Sequence, residues 1–99
     1  MSHVRFVCLH VTDATIYAGY RERMTPILAD HGGHFLLDVQ GGDVRTHPAD
    51  FDTNWVLMLS FPSAAAADGF FSDPAYVAVR DAWFDRSVSH AHVQTFVAP

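Results

Sequence analysis

Apolar positions along the chain switch between a period of two and a period near three and a half, which separates strands from helices. Residues 3–11 are β-branched and aromatic and predict a first strand. It is closed by Thr12-Asp13, where the Asp13 carboxylate is placed to cap a helix. Over residues 14–31, Tyr17, Tyr20, Met24, Ile27 and Leu28 recur at spacings of three and four. One helical face is therefore apolar, with Arg21, Glu22 and Arg23 largely off it. Pro26 is expected to bend or loosen the last turns, and Gly32-Gly33 to end the helix through positive φ. Residues 34–39 alternate, which places Phe35, Leu37 and Val39 on one strand face and His34, Leu36 and Asp38 on the other.

Gln40-Gly41-Gly42-Asp43 is a turn, and residues 44–53, with Pro48, read as a loop or a short irregular edge strand. Residues 54–61 contain Trp55-Val56-Leu57-Met58-Leu59-Ser60-Phe61, an apolar run of the kind buried on both faces, and are expected at the centre of a sheet. Ser63 is placed to cap a helix over residues 64–71 with Ala67, Phe70 and Phe71 inward. Asp73-Pro74 then opens a helix over residues 74–84 with Tyr76, Val79 and Trp83 on one stripe. Residues 88–97 alternate again and predict the last strand. The order β-α-β-β-α-β is the ferredoxin-like arrangement, an α+β fold with two helices on one face of a four-stranded antiparallel sheet. The other sheet face stays rich in apolar side chains, so a homodimer is expected, two sheets meeting face to face as a dimeric α+β barrel.

Composition narrows the function classes. At 99 residues the chain is expected to form one domain, residues 1–99, and its 49% hydrophobic and 13% aromatic content suits a buried self-interface. The formal net charge of -5 and the absence of any basic run argue against nucleic acid or an anionic membrane surface as partner; every cation is an arginine. A lone cysteine, Cys8, excludes an internal disulfide and is expected to be a small buried hydrophobe. No signal peptide or apolar span is visible, so a cytoplasmic location is expected.

Four pieces of the sequence carry a resemblance. They are Tyr17-x-x-Tyr20, then Pro26-x-x-x-x-His31-Gly32-Gly33-x-Phe35-Leu36, then Phe61-Pro62-Ser63 with its Ala-rich continuation, and Asp73-Pro74-x-Tyr76 followed by Arg80. Together they resemble the small bacterial proteins of the domain of unknown function 1330 family. That resemblance implies the dimeric α+β barrel superfamily, with its cofactor-free monooxygenases, small isomerases, cyclases and heme-handling enzymes, but no assigned reaction for the family. It also implies a ligand held between helices and sheet, which makes Tyr17, Tyr20 and Trp55 pocket residues. Where the family pattern carries Arg or Lys after Gly-Gly, this chain has His34, and its last strand carries His90 and His92 instead of plain aliphatics.

Seven histidines are the most unusual feature of the composition, and imidazole is the side chain that serves as acid and base near neutral pH. His34, His90 and His92 are therefore the candidate catalytic residues. His90 and His92 share a strand face, roughly 6–7 Å apart along the strand. That spacing would chelate a metal if His10 or His3 supplied a third ligand, but exposed strand histidines bonded to backbone or water are commoner. His31 is expected at the C-terminal end of the first helix, close to its free carbonyls. Tyr17, Tyr20, Trp55, Phe61 and Tyr76 are the candidate substrate-binding residues, aromatic walls that in a domain this small are more often core than pocket. The Tyr and Trp among them keep one polar atom that would orient a ligand at a cavity. No metal site and no organic cofactor is expected. Two functional readings stand side by side. One is a cofactor-free enzyme (isomerase, cyclase or monooxygenase-like) acting on a small apolar or aromatic substrate through a histidine. The other is a non-catalytic small-molecule-binding or interaction module.

Overall fold

Each helix begins where a short polar side chain takes over a free backbone N–H. In the computed structural model, which describes all of Met1–Pro99, Asp13 accepts from the Ile16 amide at 2.9 Å, Ser63 from Ala66 at 3.0 Å and Asp73 from Ala75 at 2.9 Å. The elements that result are β1 (Ser2–Val11), α1 (Ala14–Asp30), β2 (His34–Gln40), β3 (Trp55–Phe61), α2 (Ala64–Ser72), α3 (Pro74–Val79) and β4 (Val88–Ala98). α1 runs through Pro26 and ends in a Schellman pattern. Gly32 takes φ +76°, and the Gly32 and Gly33 amides donate to the Ala29 and Leu28 carbonyls, both at 2.9 Å.

The last helix departs from the single run predicted over residues 74–84. After Val79 the chain widens into a π-helical turn (Arg80–Phe84) and closes with one helical turn (Asp85–Ser87) before β4. A π turn inserts one residue into the helical repeat and rotates the side chains beyond it.

The sheet is antiparallel throughout, in the order β2-β3-β1-β4, so the apolar β3 is central as expected. Val7, Leu9 and Val11 of β1 and Leu57, Leu59 and Phe61 of β3 face the helices. They pack there with Tyr17, Tyr20, Met24 and Leu28 of α1, with Ala67 and Phe70 of α2 and with Tyr76 of α3. Cys8, on the opposite face of β1, is 3% exposed. No helix is long and apolar enough to cross a membrane.

Strict alternation fails in β2. Phe35 pairs with Leu59, but Leu37 pairs with Met58, so Leu36 is an extra residue, a bulge. Downstream of it every side chain changes face. Leu37 and Val39, expected with Phe35, lie on the open face beside Met58 and Val56, while Asp38 turns to the helix side.

Residues 41–54 form a loop and no edge strand. It opens on Gly41 and Gly42, both at positive φ, crosses the open face and is sewn to β1 by Asn54. The Asn54 side chain accepts from the Val11 amide at 2.7 Å and donates to the Val11 carbonyl at 2.8 Å, as a paired strand residue would. Phe51 stacks on His90 with centroids 5.3 Å apart, and His47 lies 6.1 Å from His92.

Gly33 is closely packed between α1 and β3. A Cβ there would stand 2.4 Å from Leu28 Cδ1 and 2.9 Å from Phe61 Cε1. Gly33→Ala is expected to lower stability by about 1–3 kcal/mol through overpacking. Urea unfolding would show it as a lower midpoint with an unchanged slope.

Candidate functional site

The spacing that makes α1 amphipathic also sets one wall of a cavity of about 330 Å³ between helices and sheet. α1 contributes Tyr17, Tyr20, Arg21 and Met24, and the helix-facing side of the sheet contributes Arg5, Val7, Leu9, Leu57 and Leu59. Phe71 and Tyr76 close the far side, the π turn adds Arg80 and Phe84, and Ala91 and Val93 of β4 form the rim. The lining is thus mostly apolar, with a few polar groups converging on it.

Two polar clusters border the cavity. In the first, the Tyr20 and Tyr76 hydroxyls are hydrogen-bonded at 2.9 Å and buried. Burial pushes both phenols above their ordinary titration range, Tyr20 furthest, so both stay protonated. In the second, Arg21 donates to both oxygens of Asp38, at 3.1 and 2.6 Å, and to the Tyr17 hydroxyl at 3.3 Å. The Trp55 indole N–H donates to the same carboxylate at 2.7 Å. The Arg21 hydrogen bonds, then that of Trp55, hold the Asp38 carboxyl below its usual range. The Leu36 bulge is what brings Asp38 to this side of the sheet.

Arg5 stands apart. It projects from β1 on the face of Val7 and Leu9, its guanidinium 4.0 Å from the Phe71 ring centroid, with no carboxylate partner. Burial lowers its pKa from the ordinary arginine value.

Of the residues expected to bind a ligand, Tyr17, Tyr20 and Tyr76 line the cavity. Trp55 packs on Tyr17 at 4.8 Å and walls a smaller pocket of about 150 Å³ with Gln40 and Asn54. Phe61 is 1% exposed and lies behind the cavity, 5.8 Å from both Phe70 and Phe71. The three candidate catalytic histidines all stand on the opposite face of the sheet. His34 is exposed at the start of β2, and His90 and His92 lie under the loop with His10 and His47. His10 donates to the Asp52 carbonyl at 2.7 Å, His47 is hydrogen-bonded to Thr53, and His92 Nε2 is buried without a partner. No three His, Cys, Asp or Glu side chains converge as a metal-ligand set. His31 occupies the C-cap of α1 as expected, but its Nε2 meets Asp73 Oδ2 at 2.8 Å, tying α1 to the start of α3.

Sequence reasoning passed over Arg5 and Arg21. A signal for Arg5 exists, since a charge interrupts an apolar strand on the phase of its buried residues.

The sequence profile of a domain of unknown function, DUF1330, matches residues 6–93. Among solved structures, the chain is similar to a protein of unknown function from Rhodopseudomonas palustris, at 18% identity and a TM-score of 0.84 over 99% of this chain and 84% of that one. It is also similar to a dimeric protein of unknown function with a ferredoxin-like fold from Bacteroides fragilis (12% identity, TM-score 0.62, 96% and 94% covered). A third is SnoaB, a cofactor-independent oxygenase from Streptomyces nogalater (16% identity, TM-score 0.62, 99% and 91% covered). These likenesses establish the ferredoxin-like fold. No curated protein matches the sequence significantly.

The depressed Asp38 pKa carries a pH dependence of known sign. The ionised carboxylate stabilises the folded state above the unfolded pKa of about 3.9, and that contribution is lost as pH falls through the lower folded value. Asp38→Asn is expected to cost about 0.5–1 kcal/mol at pH 7, the pair being partly solvent-screened. Unfolding curves of wild type and variant should converge as pH drops below about 4.

Proposed function

The chain belongs to the domain of unknown function 1330 family, and we propose that within it this protein binds a small apolar or aromatic molecule in the cavity between its sheet and α1 and α3. The observation that supports this reading is the cavity itself. Its volume of about 330 Å³ lies at the lower end of the ligand-pocket range of roughly 300–1,000 Å³, and most of its lining is apolar. Its titratable groups are phenols kept protonated and guanidinium ions, so no lining side chain exchanges a proton near neutral pH. That favours binding over acid/base turnover by His34, His90 or His92, which serve the other face.

Catalysis on the bound molecule is the second reading. The fold shared with SnoaB, a cofactor-independent oxygenase, favours it, as does the Tyr20–Tyr76 pair as a donor to a developing oxyanion.

The working unit is a homodimer joined through the open sheet face. Leu37, Val39 and Phe96 are exposed there beside part-exposed Phe6 and Met58, an unpaired apolar surface, and the Bacteroides fragilis relative is described as dimeric.

Ala91 is exposed at the cavity rim on an edge strand, a position that tolerates an aromatic residue. Titration calorimetry with a panel of aromatic and alkyl compounds should find micromolar binders for the wild type. Ala91→Trp, which plugs the rim, should weaken them at least about tenfold, or 1.4 kcal/mol, without altering the fold. Binding unchanged by the plug would place the ligand elsewhere. Sedimentation equilibrium should give twice the mass of one chain for the wild type and a monomer for Phe96→Asp; a monomeric wild type would refute the dimer.

A further inference from the structure

Half of the chain's cations face one cavity. The protein carries six arginines, no lysine and a net charge of -5, yet Arg5, Arg21 and Arg80 all line this space and no Asp, Glu or His does. Two of the three have their charge met within the fold. Arg21 is paired with Asp38 at 2.6 Å and Arg80 with Asp81 at 3.0 Å. Arg5 has only the face of Phe71. A half-buried guanidinium without a carboxylate is costly unless something anionic completes it.

The remaining polar groups agree in sign. Tyr20 and Tyr76 hold two hydroxyl protons between them and spend one on their mutual hydrogen bond, which leaves one to donate. Arg21 Nε is buried and has no acceptor. The cavity therefore offers donors and positive charge to its contents, the complement of an acceptor-only anion. One unpaired cation matches one negative charge; a phosphate dianion would want a second. The apolar walls exclude a small hydrated anion and call for a hydrophobic body behind the charged group.

We infer that the cavity takes an aromatic or alkyl monocarboxylate, its carboxylate bound by Arg5 with a hydrogen bond from the Tyr20–Tyr76 pair and its hydrocarbon body against Leu57, Leu59 and Met24. This rests on the cavity being the ligand site.

The test uses matched probes: benzoate, cinnamate, 2-naphthoate and decanoate against their primary amides, titrated calorimetrically into the intact protein at pH 7.5. A hydrogen bond to a charged group predicts that the best acid binds roughly tenfold to a hundredfold tighter than its amide. Arg5→Met keeps the side-chain length and removes the charge, and should bring the two within about twofold while leaving amide affinity in place. Arg5→Lys should restore part of the preference, and Arg45→Met, at an arginine 86% exposed and outside the cavity, should leave it unchanged. Equal binding of acids and amides to the wild type would overturn the anion assignment and leave the cavity as a binding site. Preference retained in Arg5→Met would overturn the role of Arg5. Failure of every acid and amide to bind would overturn the assignment together with the ligand-site reading beneath it. Circular dichroism of Arg5→Met separates lost binding from lost fold; should that variant unfold, Arg5→Gln carries the same comparison.

Discussion

The buried hydrogen bond between the Tyr20 and Tyr76 hydroxyls fixes how α1 and α3 share the space above the sheet. A phenol buried without a partner would cost about 1–3 kcal/mol, so each hydroxyl holds the other helix to its place. Their rings are themselves wedged, Tyr20 against Phe84 at 5.1 Å and Tyr76 against Phe70 at 4.2 Å. Side chains of this size on a helix keep its backbone well above the strands, and Val7, Leu57 and Leu59 are too short to fill the gap. The cavity is the space that aromatic packing leaves over.

Two local irregularities decide what looks into that space. The bulge at Leu36 swings Asp38 from the open face to the helix side, where it fixes Arg21 and Trp55 and so steadies Tyr17. The π turn at Arg80–Phe84 does the same for a helix, turning Arg80 and Phe84 onto the cavity. Each adds one residue to a regular repeat, and each changes the facing of the residues downstream. A regular strand at Leu36 would have left Arg21 without its carboxylate.

The same irregularities mark where the sequence stopped being legible. Element order, strand centrality, the inward face of α1 and all three helix caps come from periodicity and from Asp13, Ser63 and Asp73, because short-range geometry alone determines them. Tyr17, Tyr20 and Tyr76 were legible as inward-facing for the same reason, since they lie on the helix stripes that must face the sheet, whereas a pocket at Tyr17, Tyr20 and Trp55 was implied by the family resemblance alone. The face of Asp38 was not, because an inserted residue in a strand leaves no trace in a run such as Phe35-Leu36-Leu37 where every side chain is apolar. The fate of the histidines was not legible either. Whether His90 and His92 meet solvent, metal or loop depends on residues 41–54 crossing the sheet, and a loop path is a long-range property. Frequency drew attention to seven histidines, whereas the informative signal was a single arginine at a core phase of β1.

The sheet therefore acts as a partition. Positive charge and hydrogen-bond donors gather on the helix side, and His10, His47, His90 and His92 gather on the other, beneath the loop and next to the apolar surface assigned to a second copy. Neighbouring residues of β4 point to opposite sides of it: Ala91 and Val93 rim the cavity, while His90 and His92 face the loop. A ligand in the cavity touches no imidazole of its own chain. Any influence it has on the histidine face must pass through the sheet backbone, either through β1, where Leu9 lines the cavity and His10 faces the loop, or through β4, an edge strand paired only with β1. An edge strand bonded on one side is the part of a sheet most easily displaced. β4 is thus the more easily displaced of the two strands, β1 and β4, that carry cavity residues on one face and these histidines on the other.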